Sequence, residues 1–315
     1  MSLLPVEPAY RLAERPEERR WLVETLWAEE AVGIVGGEPK CCKSFLALDL
    51  AVAVASGAPC LRRYAVPRPG RVLLYAAEDA LDVVRRRLDG ICRAAAVDLA
   101  ALDVQVITAP SLRLDCEHDR ERLAATVAAL GPRLLVLDPF VRLHRIDENV
   151  SGEVAPLLAY LRELQRRHQL AVAVVHHARK GAAHARAGQA LRGSSEFHAW
   201  GDSNLYLRRV GETLTLAVEQ RAAASIAGIA LTLETDGDAL ALHVLDHDDA
   251  RDLGIPSLPA EHRVEQLLAE ANGPLTVAEI RRQCRVRTAT ICEILAELVA
   301  QGRARRTAAG YLAAL

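Results

Sequence analysis

The residues best placed to do chemistry lie between two apolar runs. Gly37-Glu38-Pro39-Lys40-Cys41-Cys42-Lys43-Ser44 follows Ala31-Val32-Gly33-Ile34-Val35 and opens into Phe45-Leu46-Ala47-Leu48. Buried strand, tight turn and helix, in that order, make a phosphate-binding loop. The turn's backbone N–H groups and the helix N-terminus both present partial positive charge to phosphate oxygens. Lys43 is expected to reach the β- and γ-phosphates, and the Ser44 hydroxyl to ligate Mg²⁺. The pattern G-x-x-x-x-G-K-[ST] wants glycine where this chain has Cys42. A side chain there is tolerable at negative φ, whereas at positive φ it costs about 1–2 kcal/mol and crowds the phosphate. Lysine usage points the same way: of 39 lysines and arginines only Lys40, Lys43 and Lys180 are lysine. A compact ammonium is not interchangeable with a planar guanidinium at a crowded phosphate.

Further polar groups close other apolar runs. Glu78-Asp79 follows Arg71–Ala77, Asp138 ends Arg133–Leu137, and His176-His177 ends Ala171–Val175. Nucleotide hydrolysis would use Asp138 to hold Mg²⁺ and Glu78 as general base on the attacking water. A strand-end histidine would sense the γ-phosphate, and the residues alone leave open which of the two faces the site. Each has a bland alternative. Asp138 could cap a turn before Pro139, Glu78-Asp79 could cap a helix, and the histidines could be ordinary strand ends. His176, His177 and His184 lack the carboxylate spacing of a metal site. Trp21 could face adenine, although an aromatic near an edge is more often core. The basic stretch from Arg179 to Arg192 offers Lys180, Arg186 and Arg192 to a nucleic-acid backbone, or is a solvated surface loop. Cys41 and Cys42, at a helix N-terminus, are either redox-sensitive or passive core thiols.

The elements that must position these groups alternate. Helical spacing over Leu81–Ala94, Asp119–Leu130 and Glu153–His168 separates the apolar strands, with a further short strand at Val104–Thr108. The expected class is therefore α/β, a mostly parallel sheet covered on both faces, with functional groups gathered at the strands' carboxyl ends. Leu205–Leu207, Thr213–Val218, Ile229–Glu234 and Leu240–Leu245 read as late antiparallel strands, with Asp236-Gly237 a hairpin turn. The expected organisation is a lead-in over 1–30, an ATPase domain over 31–245, a linker over 246–260 and a small domain over 261–315. That last segment, three helices and a basic hairpin, resembles a winged helix-turn-helix. Arg285, Arg287 and Thr290 would face a DNA major groove and Arg303, Arg305 and Arg306 would line the wing; protein docking is the alternative use.

Length and composition set the bounds. A chain of 315 residues allows about two domains, and a net charge of −2 gives no global attraction to nucleic acid. Seven scattered cysteines form no disulfide or zinc framework and suggest a reducing compartment. The start lacks the pattern of a secretory leader, and the apolar segment Phe45–Ala55 is too short to span a bilayer. A cytoplasmic protein without membrane contact is the expectation.

The ordered motifs resemble the RecA-like, AAA-type ATPases of the hexameric replicative helicase group, RepA-like and DnaB-like. The resemblance rests on Gly37–Ser44, Ala76-Ala77-Glu78-Asp79, Leu137-Asp138-Pro139 with Asp147-Glu148-Asn149-Val150-Ser151-Gly152, His176-His177-Ala178-Arg179-Lys180-Gly181 and Arg192-Gly193-Ser194-Ser195. It covers roughly residues 22–245. It implies ATP and Mg²⁺ as ligands and the loop Gly37–Ser44 as their cradle. Lys43 would be the phosphate lysine, Ser44 and Asp138 the Mg²⁺ ligands, Glu78 the base and His177 the sensor. It also implies a homo-oligomeric ring, hexameric in the family, acting on single-stranded DNA. Members complete each site with a basic finger from the neighbouring subunit. DnaB-like members carry it as Lys-x-Arg, where this chain has Glu219-Gln220-Arg221, so Arg221 is the finger candidate. RepA-like members carry an arginine after Arg-Gly-Ser-Ser, where this chain has Asp202 nearby. The implied function is an ATP-hydrolysing, DNA-associated motor. A weakly hydrolysing nucleotide switch, or a DNA-binding regulator or replication adaptor acting through the winged helix, are the alternatives.

Overall fold

The apolar runs become the strands of one large sheet. The computed structural model describes residues 4, 6–12, 20–177, 196–210, 213–236, 239–245, 264–265, 267–268, 271, 273–284, 288–301, 303–307 and 310–313. Lys180, Arg186, Arg192, His184, Arg285, Arg287, Gly237 and the linker 246–260 lie outside them. The chain divides into two units, 1–226 with 231–244, and 227–230 with 245–315.

In the first unit a short hairpin, β1 (Trp21–Val23) with β2 (Trp27–Ala28), precedes β3 (Val32–Gly37), α1 (Lys43–Ser56), β4 (Val72–Ala76) and α2 (Leu81–Ala94). Then come β5 (Val104–Val106), α3 (Glu117–Leu130), β6 (Leu134–Asp138), α4 (Ser151–His168), β7 (Ala171–His177) and α5 (Glu196–Trp200). The series ends in β8 (Ser203–Val210), β9 (Thr213–Gln220), β10 (Ile226–Asp236) and β11 (Ala239–Val244). The nine-stranded sheet runs β11-β10-β9-β8-β3-β7-β6-β4-β5. From β8 to β5 neighbouring strands are parallel, whereas β8 with β9 and β10 with β11 are antiparallel.

The strands are apolar on both faces because both faces are covered. Alternate residues Val32, Ile34, Leu73, Tyr75, Leu135, Leu137, Val172 and Val174 join Leu123 and Val127 of α3 and Val154, Leu157, Leu158, Leu161 and Leu164 of α4 in one core. The intervening residues, such as Leu74, Val136 and Val175, are equally buried, and α1 packs against β3, β4, β6 and β7. Being enclosed, α1 is apolar nearly all round. Its one buried carboxylate, Asp49, accepts the Leu61 N–H at 2.7 Å and pairs with the Arg62 guanidinium. The helix closes on Gly57, left-handed at φ 81°, whose N–H reaches the Ala53 carbonyl at 2.8 Å. Gly33 sits where β8 approaches β3: a Cβ there would stand 1.6 Å from the Ser203 carbonyl oxygen.

The second unit has its own core of Val264, Leu268, Ile280, Cys284, Ile291, Leu295, Leu298 and Ala304. Residues 264, 265, 267 and 268 are helical, followed by α6 (Val277–Cys284), α7 (Thr288–Ala300) and the antiparallel hairpin β12 (Ala304–Thr307) and β13 (Gly310–Ala313). Leu275 bridges to Tyr311 beside the hairpin. The start of α6 is a reciprocal cap. Glu279 N–H donates to the Thr276 hydroxyl oxygen at 3.2 Å, and Thr276 N–H donates to the Glu279 carboxylate at 2.8 Å. Among the described residues no helix is long and apolar enough to cross a membrane.

Candidate active site

The site forms where β3 runs out. Gly37 pairs in register with His177 of β7 on one side and Leu207 of β8 on the other. Its φ of 154° and the Leu207 carbonyl oxygen, 2.3 Å from where a Cβ would stand, leave room only for glycine. The chain then turns through two left-handed residues, Lys40 at φ 64° and Cys42 at φ 63°. Cys42 is thus in the strained conformation that the missing glycine would have adopted freely, and it enters α1 with no side-chain capping bond.

Lys43 follows directly and is 5 % exposed. Its ammonium donates to the Glu38 carbonyl at 2.7 Å and lies 3.9 Å from the Cys41 sulfur. Burial pushes its pKa down, while Cys41, Asp138 and Glu78 pull it back up. The Cys41 thiol donates to the same Glu38 carbonyl at 2.8 Å, and burial raises its pKa although Lys43 opposes this. A buried thiol held protonated is a packing residue. The redox expectation for Cys41 is therefore not supported.

Asp138, at the end of β6, is 7 % exposed and accepts a hydrogen bond from Ser44. Burial above all pushes its pKa up to about 6, with Asp79 and Glu78 adding to the rise and Ser44 and Lys43 opposing it. A hydroxyl and a carboxylate oxygen side by side suit a hard cation. Among the described residues no group of three or more His, Cys, Asp or Glu side chains could cage a metal ion. That combination fits Mg²⁺, which is commonly held by one or two protein oxygens together with substrate phosphate and water.

A cavity of about 310 Å³ collects these groups. It is lined by Lys40, Cys42, Lys43, Ser44, Glu78, Asp79, Arg87, Asp138 and His177, among others. Lys43, Ser44, Glu78, Asp138 and His177 thus share one site, as their strand-end positions implied. Glu78 is partly exposed and accepts the Arg142 Nε–H at 2.9 Å. Asp79 pairs with Arg87, whose guanidinium lies 5.2 Å from the centre of the Phe45 ring. Of the two histidines His177 lines the cavity. His176, one step along β7, is 1 % exposed and stacks on Phe197 of α5, ring centroids 4.1 Å apart. Its Nδ1 lies 4.0 Å from Glu148 Oε1, which is 3.3 Å from His144 Nε2. Phe140 closes this buried cluster against His144 and Phe197, at 4.6 and 5.1 Å.

Sequence reasoning leaves Arg87, Arg142, Arg209, His144 and Phe197 without a role. Helical spacing groups Arg87 with Arg85 and Arg86 as a solvent face, although two turns of helix return it to Asp79. Arg142 and Arg209 carry no local signal, since their neighbours come from other strands.

Arg221 lies elsewhere. Gln220 pairs with Ser203 at the start of β8, so Arg221 is at the amino end of the parallel strands, a sheet's length from its own phosphate loop. Its guanidinium donates to the Ala199 carbonyl at 2.6 Å and pairs with Asp202 at 3.1 Å. It lines a larger cavity of about 570 Å³ with Arg20, Trp21, Ala28, Glu29, Asp202 and Gln220. Trp21 sits there with the Arg20 guanidinium 5.3 Å from its ring centre. Of the two uses open to Trp21, facing adenine is not supported, because its strand lies at the other end of the sheet; the favoured packing use is met in part, the residue being half-buried there. The larger cavity holds two arginines and two carboxylates but none of the strand-end groups.

In the second unit Arg303 is engaged by Glu265, Nε to Oε1 2.7 Å, while Arg305 and Arg306 are exposed on β12. Arg306 lies 5.9 Å from the Tyr311 ring centre.

A family model described as an AAA domain matches residues 2–183. Among solved structures, one described as an ATPase domain is similar, with a TM-score of 0.53 at 11 % sequence identity. That alignment covers 69 % of this chain and 86 % of the other. At such identity the likeness is one of fold: an α/β ATPase-domain fold around a large, mostly parallel sheet.

Proposed function

The chain belongs to the AAA domain family, and from that premise we propose that it is a Mg²⁺-dependent ATPase working as a DNA-associated motor, in the manner of RepA-like and DnaB-like ring helicases. The observation that carries this reading is the convergence of Lys43, Ser44, Glu78, Asp138 and His177 on one cavity at the carboxyl edge of the sheet. A nucleotide-binding, helicase-like protein needs these groups at that edge.

Each residue has a job that its surroundings permit. The Lys43 ammonium is pre-aimed by the Glu38 carbonyl and exchanges it for phosphate oxygens. Ser44 and Asp138 hold Mg²⁺, which when bound neutralises charge developing on the phosphate oxygens. Glu78 takes the proton of the attacking water, once Arg142 yields its hydrogen bond. His177 senses the γ-phosphate, and its neighbour His176 passes the change through Phe197 to α5, which begins directly after the basic stretch 178–195. Lys180, Arg186 and Arg192 in that stretch are the proposed contacts to single-stranded DNA. Arg221 acts across a subunit boundary, as the ring arrangement requires of a finger remote from its own loop. The second unit is a winged helix whose Arg305 and Arg306, with Arg285 and Arg287, contact duplex DNA or a protein.

A nucleotide switch that barely turns over is the second reading. Cys42 held at φ 63° and Glu78 tied to Arg142 favour it. ATPase rate with and without single-stranded DNA, at low salt, decides between them. The motor requires stimulation that Lys43→Ala abolishes. ATP binding without stimulated turnover contradicts the motor and leaves the switch. Removing residues 261–315 should spare the ATPase of a helicase but cost a regulator its target.

A further inference from the structure

We propose that Arg87 is a positioning residue for hydrolysis, a strut that holds the turn bearing Glu78 in place against the helix bearing Ser44. This rests on the reading of Gly37–Ser44 as a nucleotide site and of Glu78 as its base. The two partners of the strut are chain neighbours of those groups: Asp79 follows Glu78, and Phe45 follows Ser44. Arg87 pairs with the Asp79 carboxylate and lays its guanidinium over the Phe45 ring, 5.2 Å from the ring centre. All three residues line the cavity. One side chain of α2 thus touches both the start of α1 and the turn after β4.

Asp79 stands just ahead of α2, where a carboxylate ordinarily serves the free N–H groups of the first turn. The cap position falls instead on Ala80, which makes no side-chain capping bond. The Asp79 carboxylate accepts from Arg87, two turns into the helix. A second arginine of α2 shows the contrast. Arg86 and Asp82 are 69 % and 71 % exposed, a solvated pair of little worth, whereas Arg87 and Asp79 are 27 % and 28 % exposed. A planar guanidinium can hold a carboxylate by its edge and an aromatic ring by its face at once, which an ammonium cannot. The start of the turn is already fixed on β6, where the Ala77 N–H donates to the Asp138 carbonyl at 2.7 Å. Arg87 fixes its far side. Neither of the strut's contacts has to be given up when a nucleotide enters the loop, so the strut persists through turnover.

Steady-state ATPase of the full chain with Mg²⁺ and single-stranded DNA, over the four combinations of Asp79→Ala and Arg87→Ala, tests the proposal. Arg87→Ala should lower kcat by roughly 10- to 100-fold, the cost of misplacing a reacting group by about 1 Å. The double variant should be no worse than the poorer single one, because either change already breaks the strut. It removes one charge of each sign, so its KM should stay within about threefold of the unaltered protein's while kcat remains low. Arg87→Lys should recover part of kcat, and Arg86→Ala should turn over normally. Turnover by Arg87→Ala within about twofold of normal overturns the proposal, as do losses that multiply in the double variant. A double variant whose KM rises as much as its kcat falls also overturns it, by making Arg87 a phosphate ligand. If the unaltered protein binds ATP without hydrolysing it, the motor reading and this proposal fall together. Normal turnover by the double variant of an active enzyme defeats the proposal alone.

Discussion

Replacing Asp138 by asparagine keeps the side chain's shape and an acceptor for the Ser44 hydroxyl but removes the charge. The native carboxyl is buried, and burial lifts its pKa from 3.8 to about 6, despite the opposing help of Ser44 and Lys43. A rise of about two units corresponds to about 3 kcal/mol that the folded state gives up when the group ionises. The direction follows from proton counting. Between about pH 4 and 6 the folded chain still holds a proton that the unfolded chain has released, so stability falls as pH rises through that window. Above it the full cost persists. Asp138→Asn should therefore be more stable than the unaltered protein by about 3 kcal/mol at pH 8, with the gain shrinking toward zero near pH 4. Its ATPase should be lost throughout. Trp21, Trp27 and Trp200 all lie in the first unit, so urea titrations followed by tryptophan fluorescence report on the unit that contains the substitution. A variant less stable at pH 8, or a gain that does not change with pH, would refute the assignment of Asp138 as a charge held at a structural cost.

Three further expectations follow from single contacts. Cys42→Gly relieves the left-handed strain, partly offset by glycine's greater unfolded-state freedom, for a net gain of about 1 kcal/mol, while Cys42→Ala keeps the strain; a lower melting temperature for the glycine variant than for the alanine variant contradicts this. Glu78→Gln should leave nucleotide affinity nearly intact and lower kcat by about 100-fold or more, and an unchanged kcat removes Glu78 as the base. Gly33→Ala drives a methyl toward the Ser203 carbonyl oxygen, 1.6 Å from the ideal Cβ position. It should cost about 3 kcal/mol or more, and near-normal unfolding would mean that β3 and β8 are not paired as described.

The alternation of apolar runs and helical spacing made the parallel sheet readable, since each buried strand is a short uninterrupted run such as Leu134–Asp138 or Ala171–His177. The loop and the strand-end residues were readable for the same reason: their positions along the chain imply one edge of the sheet. Groups brought in from other elements were not. Arg142 touches Glu78 from a turn after β6 and Arg209 touches Cys42 from the end of β8, and no periodicity in the chain announces these approaches. Trp21, for which facing adenine was the less favoured use, lies at the far end of the sheet beside Asp202 and Arg221. The backbone angle of Cys42 was also beyond the sequence, which could only state what each sign of φ would mean.

The central claim is that the turn ending in Lys43 grips a nucleotide although a cysteine stands where the pattern has glycine. Calorimetric titration of the purified protein with Mg²⁺ and ATP tests it most directly. Saturable binding that Lys43→Ala eliminates, in a variant whose unfolding profile is otherwise preserved, is the predicted result. No heat of binding in the unaltered protein, or equal binding by Lys43→Ala, would contradict it.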